Sequence, residues 1–117
     1  MAILAWNAKG LGNADTVRGL KDVIFKFQPC LVFISETKKK KKYVVKLQGS
    51  NKFCQGFYVD PIGIAGGLAL WWMEEVEVTI LNYCKNYIDV SISYRNSEEL
   101  HCTFIYAPPY HDEKKEF

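Results

Sequence analysis

Two polar residues, Asn7 and Glu36, each directly follow a short, largely apolar run and could act together on a phosphate or a metal ion. A carboxylate at the end of a buried strand is costly unless it is solvated, paired or bound to a metal. Glu36 could therefore supply a hard oxygen ligand to Mg²⁺, and the Asn7 amide could bond a phosphate oxygen or orient Glu36. Each residue also has a structural alternative, since Glu36 could cap the next helix and Asn7 could satisfy loop backbone.

The segments around these two residues predict a strand, a helix and a second strand. Residues 2–6 and 31–35 are short apolar runs typical of buried strands. Four apolar residues between them recur at spacings of 3, 4 and 3, which indicates one face of a helix: Val17, Leu20, Ile24 and Phe27. Asn13 or Asp15 can cap this helix, and Pro29 stops it. Such a βαβ unit has parallel strands, so Asn7 and Glu36 are expected at the same carboxyl edge, where open α/β sheets bind ligands.

The rest of the chain predicts one more helix and five more strands. Residues 39–48 could form the helix, and two strands, residues 53–59 and 66–72, flank a turn at Pro61 and Gly63. Three later segments alternate apolar and polar residues, with turns at 82–86 and 95–98, as in a half-exposed antiparallel meander: residues 76–80, 88–94 and 100–106. The predicted fold class is α/β with a mixed sheet.

Several residues in this second part indicate packing when they are considered alone. Gly66 and Gly67 predict a close backbone approach or a bulge. Tyr106 shares a strand face with Cys102 and Phe104, as a core tyrosine does. No serine–histidine–acid or cysteine–histidine arrangement occurs at a recognisable spacing.

Length and composition indicate one small globular domain. The chain has 117 residues and is 49% hydrophobic, far from a disordered composition. Its longest uncharged apolar stretch, residues 62–73, is too short to span a bilayer, and no secretion leader opens the chain. Four scattered cysteines without a Cys-x-x-Cys pair predict buried, reduced thiols. We therefore expect an intracellular protein, in the nucleus or the cytoplasm, that does not bind membranes.

Charge is unevenly distributed along the sequence. Residues 1–60 contain 11 Lys and Arg against 4 Asp and Glu, whereas residues 61–117 contain 4 against 9. The basic half includes the run Lys38 to Lys42. This pattern is compatible with a polyanionic partner, and equally with a solvated lysine face.

Five segments, taken in order, resemble the amino-terminal half of an endonuclease/exonuclease/phosphatase superfamily domain. They are "LAWNAKGLGN", "LVFISETK", "GIAGGLALWW", "NYIDV" and "TFIYAPP". They are most similar to the apurinic-type endonuclease domain that precedes reverse transcriptase in plant non-LTR (LINE-type) retrotransposons. The resemblance runs from residue 2 to about residue 110.

The resemblance implies a DNase I-like α/β-sandwich of four layers that hydrolyses phosphodiester bonds with a divalent metal, usually Mg²⁺ and alternatively Mn²⁺. It implies that Glu36 is the metal ligand and that Asn7 helps to bind the phosphate or to orient the cluster. Tyr106 would be the active-site tyrosine, aimed at the phosphate. DNA is the implied partner, although other members of the superfamily cleave phosphoinositides and sphingomyelin.

Two segments of this family are missing from the sequence. Neither the Gly-Asp-x-Asn segment nor the late Ser-Asp-His segment occurs, and neither His101 nor His111 matches the general base. Residues 1–117 are thus expected to be one partial domain with at most one sheet and part of its covering layer. An uncovered apolar sheet face would favour self-association.

Three hypotheses for function follow. The first is an amino-terminal fragment of a metal-dependent endonuclease domain, inactive alone because the two segments are missing. The second is a non-catalytic remnant that binds nucleic acid through the basic half. The third is a relic of a mobile element without a selected function.

Overall fold

The computed structural model describes residues 1–107, which form two helices and seven strands. In chain order these are β1 (Ile3–Asn7), α1 (Ala14–Phe27), β2 (Leu31–Ser35), α2 (Lys41–Ser50), β3 (Gln55–Val59), β4 (Leu68–Trp72), β5 (Val76–Cys84), β6 (Tyr87–Tyr94) and β7 (Leu100–Ile105). Every predicted element is present; β2 has the predicted bounds, and the ends of the others differ from the prediction by at most a few residues. The residues Pro108, Pro109 and His111 lie outside the described part.

The first sheet has the strand order β1-β2-β4-β3. β1 and β2 are parallel, with Asn7 opposite Ser35, which confirms the predicted βαβ unit. β4 is antiparallel to both β2 and β3. Because Ser35, Leu68 and Val59 are aligned across the sheet, the loops after β1, β2 and β3 all leave it at one edge.

Helix α1 joins the two parallel strands, and both of its ends are capped. The Asn13 side chain accepts a hydrogen bond from the Asp15 backbone N–H at 2.7 Å, so Asn13 is the amino-terminal cap. Gln28 ends the helix in the left-handed conformation, and Pro29 follows it. Both helices cover one face of the first sheet, where Leu20, Val44 and Trp71 are fully enclosed.

A second sheet covers the other face of the first, and the expectation of at most one sheet was wrong. It is an antiparallel meander in the order β5-β6-β7. The rings of Phe33 and Phe104 stack at 5.2 Å, and those of Phe57 and Tyr83 meet edge to face at 5.0 Å. β7 therefore lies over β2, and β5 lies over β3. A tight turn after β4 makes this possible, since the N–H of Val76 bonds the carbonyl of Met73 at 3.1 Å.

Strand β1 was predicted to be buried, and this prediction was wrong for one of its faces. Ile3 is 38% exposed and Asn7 is also exposed, because β1 is an edge strand and no strand of the second sheet lies over it within residues 1–107. The outer face of the second sheet carries the polar residues Asp89, Ser91 and Thr103, and beside them the apolar Ile105 is 70% exposed. On the first sheet, the apolar surface that the second sheet leaves uncovered within residues 1–107 is thus a strip along β1 and not a whole face.

The cysteines are all free within the described residues, but only Cys30 is buried. Cys54 is exposed, which contradicts the prediction of four buried thiols; it lies at the edge strand β3, just before Gln55. None of the helices in residues 1–107 is long and apolar enough to span a membrane.

Candidate functional site

Asn7 and Glu36 are in direct contact at the carboxyl edge of the first sheet. The Asn7 amide Nδ2 donates a hydrogen bond to Glu36 Oε2 at 2.9 Å. The parallel register of β1 and β2 produces this contact, because it aligns the last residue of β1 with Ser35 and lets both chains leave the sheet side by side. The sequence prediction that these two residues share an edge is therefore confirmed.

Backbone hydrogen bonds continue this alignment beyond the strands. The N–H groups of Ala8, Gly10 and Leu11 donate to the carbonyls of Ser35, Glu36 and Thr37 at 2.8 to 2.9 Å. The Asn7 carbonyl Oδ1 also accepts from the Lys9 N–H at 3.0 Å. Asn7 thus satisfies loop backbone with one end of its amide and orients Glu36 with the other, so both predicted roles coexist.

The backbone of Glu36 is held in an unfavourable conformation. Its φ is +52°, in the left-handed region that a residue with a Cβ rarely adopts and that often marks a functional site. Its side chain is only 15% exposed, and Oε1 lies 3.9 Å from Lys38 Nζ. The alternative in which Glu36 caps the next helix is wrong, since Asp60 Oδ1 accepts the first N–H of α2, from Lys41, at 2.8 Å.

The glycine pair before β4 fixes the segment that follows Glu36. The N–H groups of Thr37 and Lys38 donate to the carbonyls of Gly67 and Gly66 at 3.1 and 2.8 Å. A Cβ on Gly67 would collide with Thr37 Oγ1, which is buried. The predicted close backbone approach is confirmed, although the two glycines precede the strand and are not inside it.

Tyr106 lies at the same end of the sandwich but in the second sheet. β5 starts beside the amino end of β2, because the Met73 N–H bonds the Cys30 carbonyl at 2.9 Å. β7 runs in the same direction as β5, so its carboxyl end lies at the Glu36 end of the sheets. Tyr106 packs against the core between the sheets, and its N–H donates to the Asn86 carbonyl at 2.7 Å. Its proposed role in the site rests on this placement and not on a measured contact with Glu36.

The edge that carries Asn7 and Glu36 is strongly basic. Lys9 follows β1, and the run Lys38 to Lys42 connects the Glu36 segment to the start of α2. Lys39 Nζ lies 5.1 Å from the centre of the Tyr43 ring, and the Lys39 side chain lies next to Gly12. The ion pair of Lys38 with Glu36 was not predicted, because a lysine run by itself indicates only a charged surface.

Acidic residues gather at the other end of the second sheet. The turns after β4 and β6 are adjacent there, since the Arg95 N–H donates to the Glu75 carbonyl at 2.9 Å. They carry Glu74, Glu75, Glu98 and Glu99. The charge asymmetry of the sequence therefore becomes a separation in space, which favours approach of a polyanion at the Asn7–Glu36 edge.

His101 belongs to a separate group on the outer face of the second sheet. Its Nε2 lies 2.5 Å from Asp89 Oδ1, which also accepts the Thr103 hydroxyl at 2.8 Å. The Thr103 hydrogen bond, and after it that of His101, lowers the pKa of Asp89. This group lies away from Glu36, so it does not replace the missing general base.

Glu36 offers the donor type that Mg²⁺ prefers. Within residues 1–107, no three His, Cys, Asp or Glu side chains are grouped to hold a metal ion. Mg²⁺ commonly binds proteins through only one or two carboxylates and keeps several waters. The lone, oriented carboxylate of Glu36 fits that mode, and it does not fit the closed sites of Zn²⁺.

Comparison with known proteins identifies the fold. No family model matches the sequence, and no curated protein does. Solved structures do match, among them "Crystal structure of D. rerio TDP2 complexed with single strand DNA product", with a TM-score of 0.60, 22% identity, and coverage of 86% of this chain and 43% of that one.

Two further structures match over nearly the whole chain. The Xenopus laevis APE2 catalytic domain has a TM-score of 0.60 at 15% identity, covering 99% of this chain and 48% of its own. The AP endonuclease LMAP from Leishmania major has a TM-score of 0.64 at 11% identity, covering 96% and 42%. All three have the endonuclease/exonuclease/phosphatase fold, and this chain spans less than half of each. The chain therefore has the two-sheet, DNase I-like α/β architecture of that fold over part of its extent.

Proposed function

We propose that this chain is the amino-terminal part of a divalent-metal-dependent phosphodiesterase domain that acts on DNA as an endonuclease. The observation that carries the proposal is the hydrogen-bonded pair of Asn7 and Glu36 at the carboxyl edge of the first sheet. The basic surface beside this pair supports a polyanionic substrate. The amino-acid sequences of the five quoted segments support an origin in a plant non-LTR retrotransposon.

In this proposal the residues divide the work by position. Mg²⁺ or Mn²⁺ bound at Glu36 would supply the Lewis acidity that phosphodiester hydrolysis needs. Asn7 holds Glu36 Oε2 by its amide and so fixes the direction of the carboxylate. Tyr106, at the same end, presents a phenol that can donate a hydrogen bond to a phosphoryl oxygen. Lys38 balances the charge of Glu36 and can contact the phosphate backbone.

The 117-residue chain alone is not expected to cleave DNA. It contains neither the Gly-Asp-x-Asn nor the Ser-Asp-His segment. The family resemblance implies that these segments activate the attacking water. Removal of a general base alone typically costs about 10²- to 10⁴-fold in rate. Robust nicking of plasmid by this chain with Mg²⁺, abolished in Glu36→Gln, would contradict the proposed inactivity.

Metal binding tests the proposal independently of cleavage. Mn²⁺ affinity is measured by electron paramagnetic resonance on the wild type, Glu36→Gln, Asn7→Ala and the control Glu77→Gln. Glu77 is an exposed glutamate at the start of β5. We expect Glu36→Gln to lose binding, Asn7→Ala to weaken it roughly tenfold as supporting residues do, and Glu77→Gln to bind like the wild type. Equal affinity in Glu36→Gln and the wild type would refute the role of Glu36.

A further inference from the structure

An isoleucine-tipped hairpin projects at the same edge as Asn7 and Glu36. It connects β3 to β4, and Ile62 and Ile64 are 68% and 89% exposed. Among the exposed large apolar residues of the described chain, Ile64 has the largest exposed fraction. Ile62 and Ile64 together form a small apolar patch beside a row of lysines, and an apolar patch with a polar rim is typical of an interaction site.

The hairpin is closed by backbone hydrogen bonds and is attached directly to the candidate site. Ile62 and Ala65 exchange two backbone hydrogen bonds, of 3.0 and 3.1 Å. The glycines that follow accept the N–H groups of Thr37 and Lys38, one and two residues after Glu36. The isoleucine tip is therefore held at a fixed position relative to Glu36 and to the lysines after it.

We propose that this hairpin is a wedge that contacts the bases of duplex DNA and opens a base step next to the phosphate at Glu36. Contacts from lysine to phosphate position a protein on DNA, and apolar side chains such as isoleucine are the kind that insert between base steps. The hairpin and the lysine run together offer both kinds of contact on one edge. The inference rests on the proposed function only for the choice of DNA as the polyanion.

The test uses a duplex with 2-aminopurine at a flexible step, in EDTA and low salt, so that no metal is required. Affinity is read from anisotropy, and unstacking is read from the rise in 2-aminopurine fluorescence. We expect Ile64→Ser to lose the fluorescence rise and to bind roughly tenfold more weakly, as expected for loss of one buried aliphatic contact. Ile64→Leu should keep both signals.

Phe25→Ser is the matched control, because Phe25 is 79% exposed on α1 and lies outside this edge. It should leave both signals unchanged. The inference is overturned if Ile64→Ser matches the wild type in both readouts, if Phe25→Ser weakens binding equally, or if the chain does not bind DNA at all. In each of these cases Mn²⁺ binding at Glu36 is still measured separately, so the failure of the wedge is distinguished from the failure of the metal site.

Discussion

Substitution of Gly67 by alanine is expected to destabilise the protein strongly and to disturb the segment after Glu36. Gly67 has a φ of +94°, and an added Cβ would collide with Thr37 Oγ1 while lying 3.2 Å from the Lys38 nitrogen and 3.3 Å from Pro61 Cδ. Two of these neighbours, a backbone nitrogen and a proline ring, cannot swing aside. The added methyl group should therefore push the glycine pair before β4 away from Thr37 and Lys38.

Two costs add at this position. A left-handed backbone costs a residue with a Cβ about 1–2 kcal/mol, and overpacking costs about 1–3 kcal/mol. The expected loss of about 2–5 kcal/mol is a large part of the roughly 5–15 kcal/mol that stabilises a typical domain. At about 4 °C per kcal/mol for a chain of this size, Tm should fall by roughly 8–20 °C.

Two other glycines provide matched controls. Gly63 has a φ of +62° with open space around it, so Gly63→Ala should cost only the backbone term of about 1–2 kcal/mol. Gly19 is inside α1 with open space as well, and Gly19→Ala should stabilise by about 0.5–1 kcal/mol. Urea unfolding followed by tryptophan fluorescence measures all three. If Gly67→Ala is no worse than Gly63→Ala, the close contact with Thr37 is not part of the folded protein.

Three further predictions concern other parts of the fold. Burial raises the pKa of Tyr58 to about 12, above the value of about 10 for an unfolded tyrosine. The free energy of unfolding should therefore fall as pH rises from 10 towards 12. Urea midpoints of the wild type and Tyr58→Phe measure this, and an identical pH dependence in both would contradict it. Burial raises the pKa of the Cys30 thiol, whereas Cys54 is exposed. A thiol reagent should therefore label Cys54 before Cys30. Mass spectrometry measures the order of labelling, and earlier labelling of Cys30 would refute the prediction. Asn13→Ala should cost about 1 kcal/mol, and unchanged stability in urea would show that the hydrogen bond from the Asp15 N–H to the Asn13 cap contributes nothing.

Local patterns were sufficient to predict that Asn7 and Glu36 lie at the same edge of the sheet, while a direct contact between them was only one of the alternatives. The spacing of apolar residues in α1 and the two flanking apolar runs fixed a parallel unit, and parallel strands bring their carboxyl ends together. The left-handed backbone of Glu36 was not predicted, because the segment after it is hydrogen-bonded to the glycines before β4, which are distant in sequence.

The second sheet was not predicted for a related reason. Alternation shows which face of a strand is apolar, but it does not show against which sheet that face packs. An irregularity between Ile80 and Asn82 also shifts the alternation, so the predicted turn at 82–86 includes residues of β5, which extends to Cys84. The exposed face of β1 follows from the same missing information, since it depends on how far the second sheet extends.

The two sheets are offset, and this determines where a further strand could extend the second sheet. β7 lies over β2, so β1 extends beyond the second sheet, with Ile3 and Asn7 on its uncovered face. Within residues 1–107, β7 is an edge strand of the second sheet. A further strand paired with that edge would lie over β1, shield Ile3 from water and cover the open side of the Asn7 amide. One added strand would therefore enclose Asn7, the hydrogen-bond partner of Glu36, and bury the exposed apolar face of β1 together.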